Sequence, residues 1–363
     1  MDRVKPNAKP RIDRVDLMLV SALLAVVASY AMGYRLDWRQ LDAKPEEEPV
    51  EASLAPVAPA AETSSQAAAP APAAQPESVA DAGQAQWDEM TAELTQAAAR
   101  YPGRVAVDLV DLRTGRDWNY HPDDLFPSAS LIKVPVMICA FAKIHDGEMT
   151  LHDILTLRRH NRVGGSGSLK WQPDGSKFTV SELLRHMITE SDNTATNMLI
   201  EAVGMGYIQQ EFPKIGLLYT GIYEEGMSLR GGHVSHENYT TAREMTMLMA
   251  KIYRGEMIDK SSSQLMLDIL KLPRPASRLA KGLPQGWEIA HKTGLLRHAC
   301  HDSAVFLTPN GDYALTVLTG QNDNYSLAKD FITRLGHITF VHYGGYPRYY
   351  FASRRHGRHV ALR

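Results

Sequence analysis

Cysteine is nearly absent from this 363-residue chain, which holds only Cys139 and Cys300. Two thiols cannot make a disulfide framework. Cys139, inside an apolar run, reads as a buried core thiol. A Cys139–Cys300 bridge is the one disulfide open to the chain in an oxidising compartment. Charge imbalance is also missing: 39 Lys and Arg against 41 Asp and Glu leave a net charge of −2. That removes any electrostatic reason to expect nucleic acid as a partner. No internal repeat is visible. The glycine-rich run Gly164–Ser168 lacks the G-K-[S/T] ending of a phosphate loop. His298, Cys300 and His301 suggest zinc, but no clear fourth ligand accompanies them, so no metal is expected. What is present is ordinary globular material, 44% hydrophobic and 22% charged, enough to bury a sizeable core.

One long uncharged apolar stretch exists, LMLVSALLAVVASYAMGY over 17–34, just long enough to cross a bilayer as a helix. Arg3, Lys5, Lys9, Arg11 and Arg14 precede it, so the positive-inside rule keeps residues 1–16 in the cytoplasm and exports the rest. The expectation is a single-pass inner-membrane anchor with an extracytoplasmic domain. The small-x-small site Ser29-Tyr30-Ala31 keeps a cleaved signal peptide open. Residues 35–85, mostly Ala, Pro and Glu, bury too little to offset their ordering entropy and read as a disordered tether. The basic tail 346–363 reads as a solvated end.

The folded part is expected over 86–345. Trp87, Met90, Leu94 and Ala97 recur at helical spacing, predicting a helix over 86–100. Val105–Leu112 and Asp117–His121 read as a hairpin. Trp287–Leu295, Asp302–Thr308 and Tyr313–Gly320 read as strands, with Asn310-Gly311 as a turn. A mainly helical middle and a closing helix over Ser326–His342 complete the pattern. Strands at both ends with helices between predict an α+β fold, one antiparallel sheet plus a helical insertion.

Three short motifs carry the chemistry: Ser130-Leu131-Ile132-Lys133, Ser191-Asp192-Asn193 and Lys292-Thr293-Gly294. Together they supply a serine nucleophile, a lysine one turn away, a second hydroxyl, an amide and a second ammonium. That is equipment for opening an amide through an acyl-serine. Ser326-Leu327-Ala328-Lys329 is a second S-x-x-K, but only the Ser130 copy precedes both other motifs. Ser130 is expected at a helix N-terminus, with the Lys133 amine within reach of its hydroxyl. Burial and a second cation, Lys292, would push the Lys133 pKa down so that its amine accepts a proton. Ser191 suits relay of a proton to a leaving nitrogen, and Asn193 suits a substrate amide carbonyl. Asp192 is expected to cap the helix that follows. Gly294 should leave room for a substrate backbone, with Lys292 and Thr293 binding a carboxylate.

With FPSASLIKVPV, GGSGSLK, FTVSELLRHMITESDNTATNMLI, ENYTTAREM and RLAKGLPQGWEIAHKTG, these motifs make residues 86–345 resemble the class A serine β-lactamase family. Its penicillin-recognising relatives include the D-Ala-D-Ala peptidases. The resemblance implies a five-stranded antiparallel sheet with flanking helices, an all-α subdomain and a cleft between them. It implies acylation at Ser130, activation by Lys133, proton relay by Ser191, and substrate contacts from Asn193, Lys292 and Thr293. The backbone N–H groups of Ser130 and Leu295 would form the oxyanion hole. Leu295 replaces the usual hydroxyl residue, and Arg297 is a candidate to compensate. Family spacing for the deacylating carboxylate lands on Glu225, beside Glu224. The asparagine expected four residues later is absent, those places holding Leu229 and Ser228.

The leading expectation is a monomeric β-lactam hydrolase without cofactor. A D-Ala-D-Ala peptidase-like wall amidase with slow deacylation is the alternative, and a non-catalytic β-lactam or wall-peptide sensor is the third reading.

Overall fold

The computed structural model describes residues 79–223 and 237–347. The expected anchor 17–34, tether residues 35–78, the tail from 348 and Glu225 lie outside these. No helix among the described residues is long and apolar enough to cross a membrane.

The first helix, α1 (Val79–Ala99), starts before residue 86, so residues 79–85, expected as the tether's end, are helical. Alanine, which reads as linker by lack of bulk, is also the strongest helix former, so the helix runs on past its buried face. That face is Met90, Leu94, Ala97 and Ala98. Two strands follow, β1 (Arg104–Asp111) and β2 (Asp117–Tyr120), then a short β3 (Phe126–Pro127). A 3-10 turn, Ala129–Ile132, leads into α2 (Lys133–His145).

The small strands β4 (Ile154–Thr156) and β5 (Lys177–Thr179) pair with each other and introduce three helices. These are α3 (Val180–Thr189), α4 (Asn193–Val203) and α5 (Met205–Ile215). Thr179 caps α3 in a reciprocal box with Glu182, the arrangement T-x-x-E favours. Strand β6 (Tyr239–Thr240) pairs with β3 and opens α6 (Ala242–Arg254), followed by α7 (Lys260–Lys271).

The last third of the chain returns to the sheet with β7 (Glu288–Leu296), β8 (Ala299–Leu307) and β9 (Tyr313–Gly320), closed by α8 (Tyr325–His342). The sheet is fully antiparallel in the order β2-β1-β9-β8-β7. Val107 lies opposite Val317, joining the two ends of the domain. Strand β8 begins at Ala299 rather than Asp302, because β7 and β8 meet in a tight turn at Arg297-His298, where His298 has φ 60°.

Both faces of the central strands are covered, so they read as near-continuous apolar runs. On one face Val105, Val107, Leu109, Phe306, Leu315 and Val317 pack with α1 and α8. Smaller residues, Ala106, Ala290 and Ala314, face the helical core built around α2 to α7. Cys139 and Cys300 are both buried and free, so no bridge joins them. Strand β7 is an edge strand, and the turn Ala129–Ile132 lies against it. That placement brings the first and third motifs together.

Candidate active site

Ser130 lies within the 3-10 turn rather than at an α-helix cap, and its carbonyl accepts the Lys133 N–H. The turn is anchored on its approach: Ser128 N donates to Asn238 O at 2.6 Å. Ala129 then enters the left-handed region at φ 47°. Residues other than glycine occupy that region at a cost and only where surroundings impose it, as functional turns commonly do.

Lys133 is 1% exposed and reaches across to the second motif. Its Nζ donates to Ser191 O at 2.5 Å, Ser191 Oγ at 3.2 Å and Asn193 Oδ1 at 2.7 Å. These bonds tie the amine to the second motif. Ser191 also turns left-handed, at φ 53°, and offers a carbonyl and a hydroxyl to the same nitrogen. Lys292, also 1% exposed, donates to Ser191 Oγ at 3.0 Å and to Thr293 O at 2.9 Å. All three motifs therefore meet. Burial pushes Lys133 down to about 7 against the opposing pull of Asp192. Burial and the positive charge of Lys133 hold Lys292 well below its ordinary value. Charged amines without water pay heavily, so burial favours the neutral, proton-accepting form.

Asp192 caps α4 as expected, accepting from Ala195 N at 2.8 Å. Its other oxygen accepts from Leu169 N at 2.8 Å, which fastens the glycine-rich loop beneath the motif. Asn193 extends the clasp with Nδ2 to Gly164 O at 2.8 Å and N to Ser166 O at 3.1 Å. Gly167 is compelled: φ is 97°, and a methyl group there would sit 2.1 Å from the Asp192 carboxyl.

Thr293 is partly buried beside Lys292, and Leu295 is half exposed at the edge of β7. Gly294 is closely packed on the side where a side chain would stand. A methyl group there would meet Ala129 Cβ and His301 Cδ2, each at 3.2 Å, so the protein itself fills that space. Arg297 stands exposed in the β7–β8 turn. Glu225 lies outside the described residues, but both flanks of its segment are fixed. Gly221 and Tyr239 exchange backbone hydrogen bonds, and Tyr223 N donates to Asn238 Oδ1 at 2.7 Å.

Sequence reasoning missed a buried charge layer beneath Lys292. His291 Nδ1 lies 3.0 Å from Asp302 Oδ1, and Asp302 Oδ2 accepts from Leu279 N at 3.1 Å. Arg278, 6% exposed, donates from Nε to Cys300 Sγ at 3.2 Å. Arg274 donates to the Leu270 and Ile188 carbonyls at the ends of α7 and α3. Burial lowers Arg274 to about 10 and also lowers His291. The available signal was the triple Arg274, Arg278 and Asp302 at positions otherwise reading as apolar or turn. The zinc-like trio does not converge. Cys300 faces the α1–α8 side and His301 the other, while His298 occupies the turn and meets Asn322 O.

A protein-family model described as the β-lactamase enzyme family matches residues 89–343. β-Lactamase VEB-1 of Pseudomonas aeruginosa is 23% identical over 276 residues, 71% of this chain and 92% of that protein. Among solved structures, PBP-A is 29% identical with a TM-score of 0.65, covering 70% of this chain and 96% of its own. A β-lactamase from Sphaerobacter thermophilus is 26% identical with a TM-score of 0.66, covering 71% and 98%. A point mutant of PBP-A has been solved as an acyl-enzyme complex with penicillin G.

Proposed function

The chain belongs to the β-lactamase enzyme family, and we propose that it opens β-lactam amides through an acyl-Ser130 intermediate. The observation that carries this is the convergence of Lys133 and Lys292 on the Ser191 hydroxyl, beside the Ser130 turn. The Ser130 oxygen attacks the lactam carbonyl while its proton passes to the neutral Lys133 amine. The oxyanion is held by the Ser130 and Leu295 N–H groups. Ser191 returns a proton to the departing ring nitrogen, which breaks the C–N bond and leaves the ester. Lys292 and Thr293 hold the substrate carboxylate. Glu225 is the water-activating base of the second step in this reading.

A slow second step is the competing reading, favoured by the missing asparagine partner of Glu225 and by the likeness to PBP-A, a mutant of which has been solved as an acyl-enzyme with penicillin G. Intact-mass measurement of the protein after a pulse of penicillin G separates the two. A β-lactamase loses the adduct within seconds, and Ser130→Ala never acquires it. An adduct lasting many minutes selects the wall-amidase reading, and no adduct together with no loss of penicillin G rejects the acyl-serine mechanism.

The domain acts, in the same reading, as a monomer outside the cytoplasmic membrane, held by residues 17–34. The support is the uncharged run and the basic residues before it. Protease added to spheroplasts should remove the domain, and a protected domain would sink that placement.

A further inference from the structure

We propose that His301 is a positioning residue for acylation, setting the spacing between the Ser130 turn and the β7 edge that together receive the oxyanion. The inference rests on the acyl-serine reading above.

His301 lies on β8, opposite Gly294 in the register of β7. It is fully buried, and both ring nitrogens are used. Thr319 N donates to Nδ1 at 3.2 Å, so Nδ1 is an acceptor and the proton sits on Nε2. Nε2 then donates to Pro127 O at 2.8 Å. Pro127 is three residues before Ser130 and brings no N–H of its own. The carbonyl of this residue is thus tied to the central strand by one imidazole. The ring also stands edge-on to Phe126, with centroids 6.1 Å apart.

The same ring packs against Gly294, whose missing side chain leaves Ala129 and His301 to share the space beside the strand. His301 therefore touches the approach to Ser130 on one side and the residue before Leu295 on the other. Those are the two backbone segments whose N–H groups supply the oxyanion hole. Oxyanion donors act only when fixed near 3 Å from the developing charge, so a rigid spacer between their carriers controls the rate. The ring is held neutral: burial lowers it to about 4, and the positive charge of Arg278 adds to that in the same direction. A flexible side chain could fill the volume without fixing that distance.

Two variants divide the ring's functions. His301→Gln can place an amide donor near the Nε2 position and keep the Pro127 tie. His301→Asn keeps a group near Nδ1 for Thr319 and loses the tie. The second-order rate of penicillin G adduct formation, followed by intact mass, should fall 10- to 100-fold in the Asn variant. The Gln variant should recover most of that loss, although both have lowered melting temperatures. The carbonyl stretch of the acyl adduct should also move to higher frequency in the Asn variant, reporting a weakened oxyanion hole. Wild-type labelling with Asn-variant rates and carbonyl frequency unchanged overturns this inference alone. So do losses in both variants that merely track melting temperature. Absence of any wild-type adduct together with no consumption of penicillin G overturns the acyl-serine reading and this inference with it.

Discussion

Lys133 and Lys292 point their amines at the same oxygen, Ser191 Oγ, from 3.2 and 3.0 Å. A hydroxyl has two lone pairs and one proton, so it can accept from both or donate to a neutral one. Two charged amines at such range in a dry pocket repel strongly. In the acyl-serine reading proposed above, the pair acts as one proton-storing unit, with Ser191 as its exchange point.

The pH dependence of acylation follows from that unit. With Lys133 lowered to about 7, its neutral fraction grows as pH rises through that value. The acylation rate should climb roughly tenfold per unit below pH 7 and level off above it, the midpoint belonging to the lysine pair. Quenched-flow mass spectrometry between pH 5 and 9 reads this directly. A flat profile would exclude Lys133 as the base. Stability carries the matching sign. Between about 7 and 10 the unfolded chain holds a proton that folded Lys133 has released, so this group makes stability rise with pH there.

Gly167→Ala should be among the most damaging changes to the glycine-rich loop. The added methyl meets the Asp192 carboxyl at 2.1 Å, on a backbone with φ 97°. Displacing Asp192 frees both Leu169 N and Ala195 N. A loss of roughly 3 kcal/mol is expected from strain plus two broken buried bonds. Urea unfolding would measure it, and a variant as stable as the parent would contradict the clasp.

Asp108 offers a test remote from the site. It is 3% exposed on β1, and burial raises its carboxyl to about 6. Between about 4 and 6 the folded protein keeps this proton while the unfolded chain has lost it, so stability falls as pH rises. Asp108→Asn removes that penalty and should stabilise the protein at pH 7.5 by up to about 3 kcal/mol, but little at pH 4. Equal effects at both pH values, by urea midpoint, would refute the assignment.

Much of this molecule was readable from local pattern. The β1 strand announced itself by alternation and β-branching over Val105–Leu112, and α1 by the helical spacing of Trp87, Met90, Leu94 and Ala97. The three motifs named their own side chains because the chemistry demands those types. Whatever depends on distant packing was not legible. Nothing near Gly294 in the sequence says that Ala129 and His301 crowd the place of its missing side chain. The left-handed turn at Ser191, which presents a carbonyl and a hydroxyl to Lys133, is likewise beyond what spacing alone can reveal. His301 beside Cys300 resembled a metal fragment until the pleat sent them to opposite faces.

The pairing of Val107 with Val317 has a consequence for how the protein is made. The opening hairpin has no lasting partner until the ribosome has delivered nearly the whole domain. Such far-separated pairing makes for slow folders, since loop closure is costly before any contact rewards it. A chain stopped short of β9 would leave β1 as an unprotected template for aggregation, so premature termination should yield insoluble fragments rather than partial enzymes.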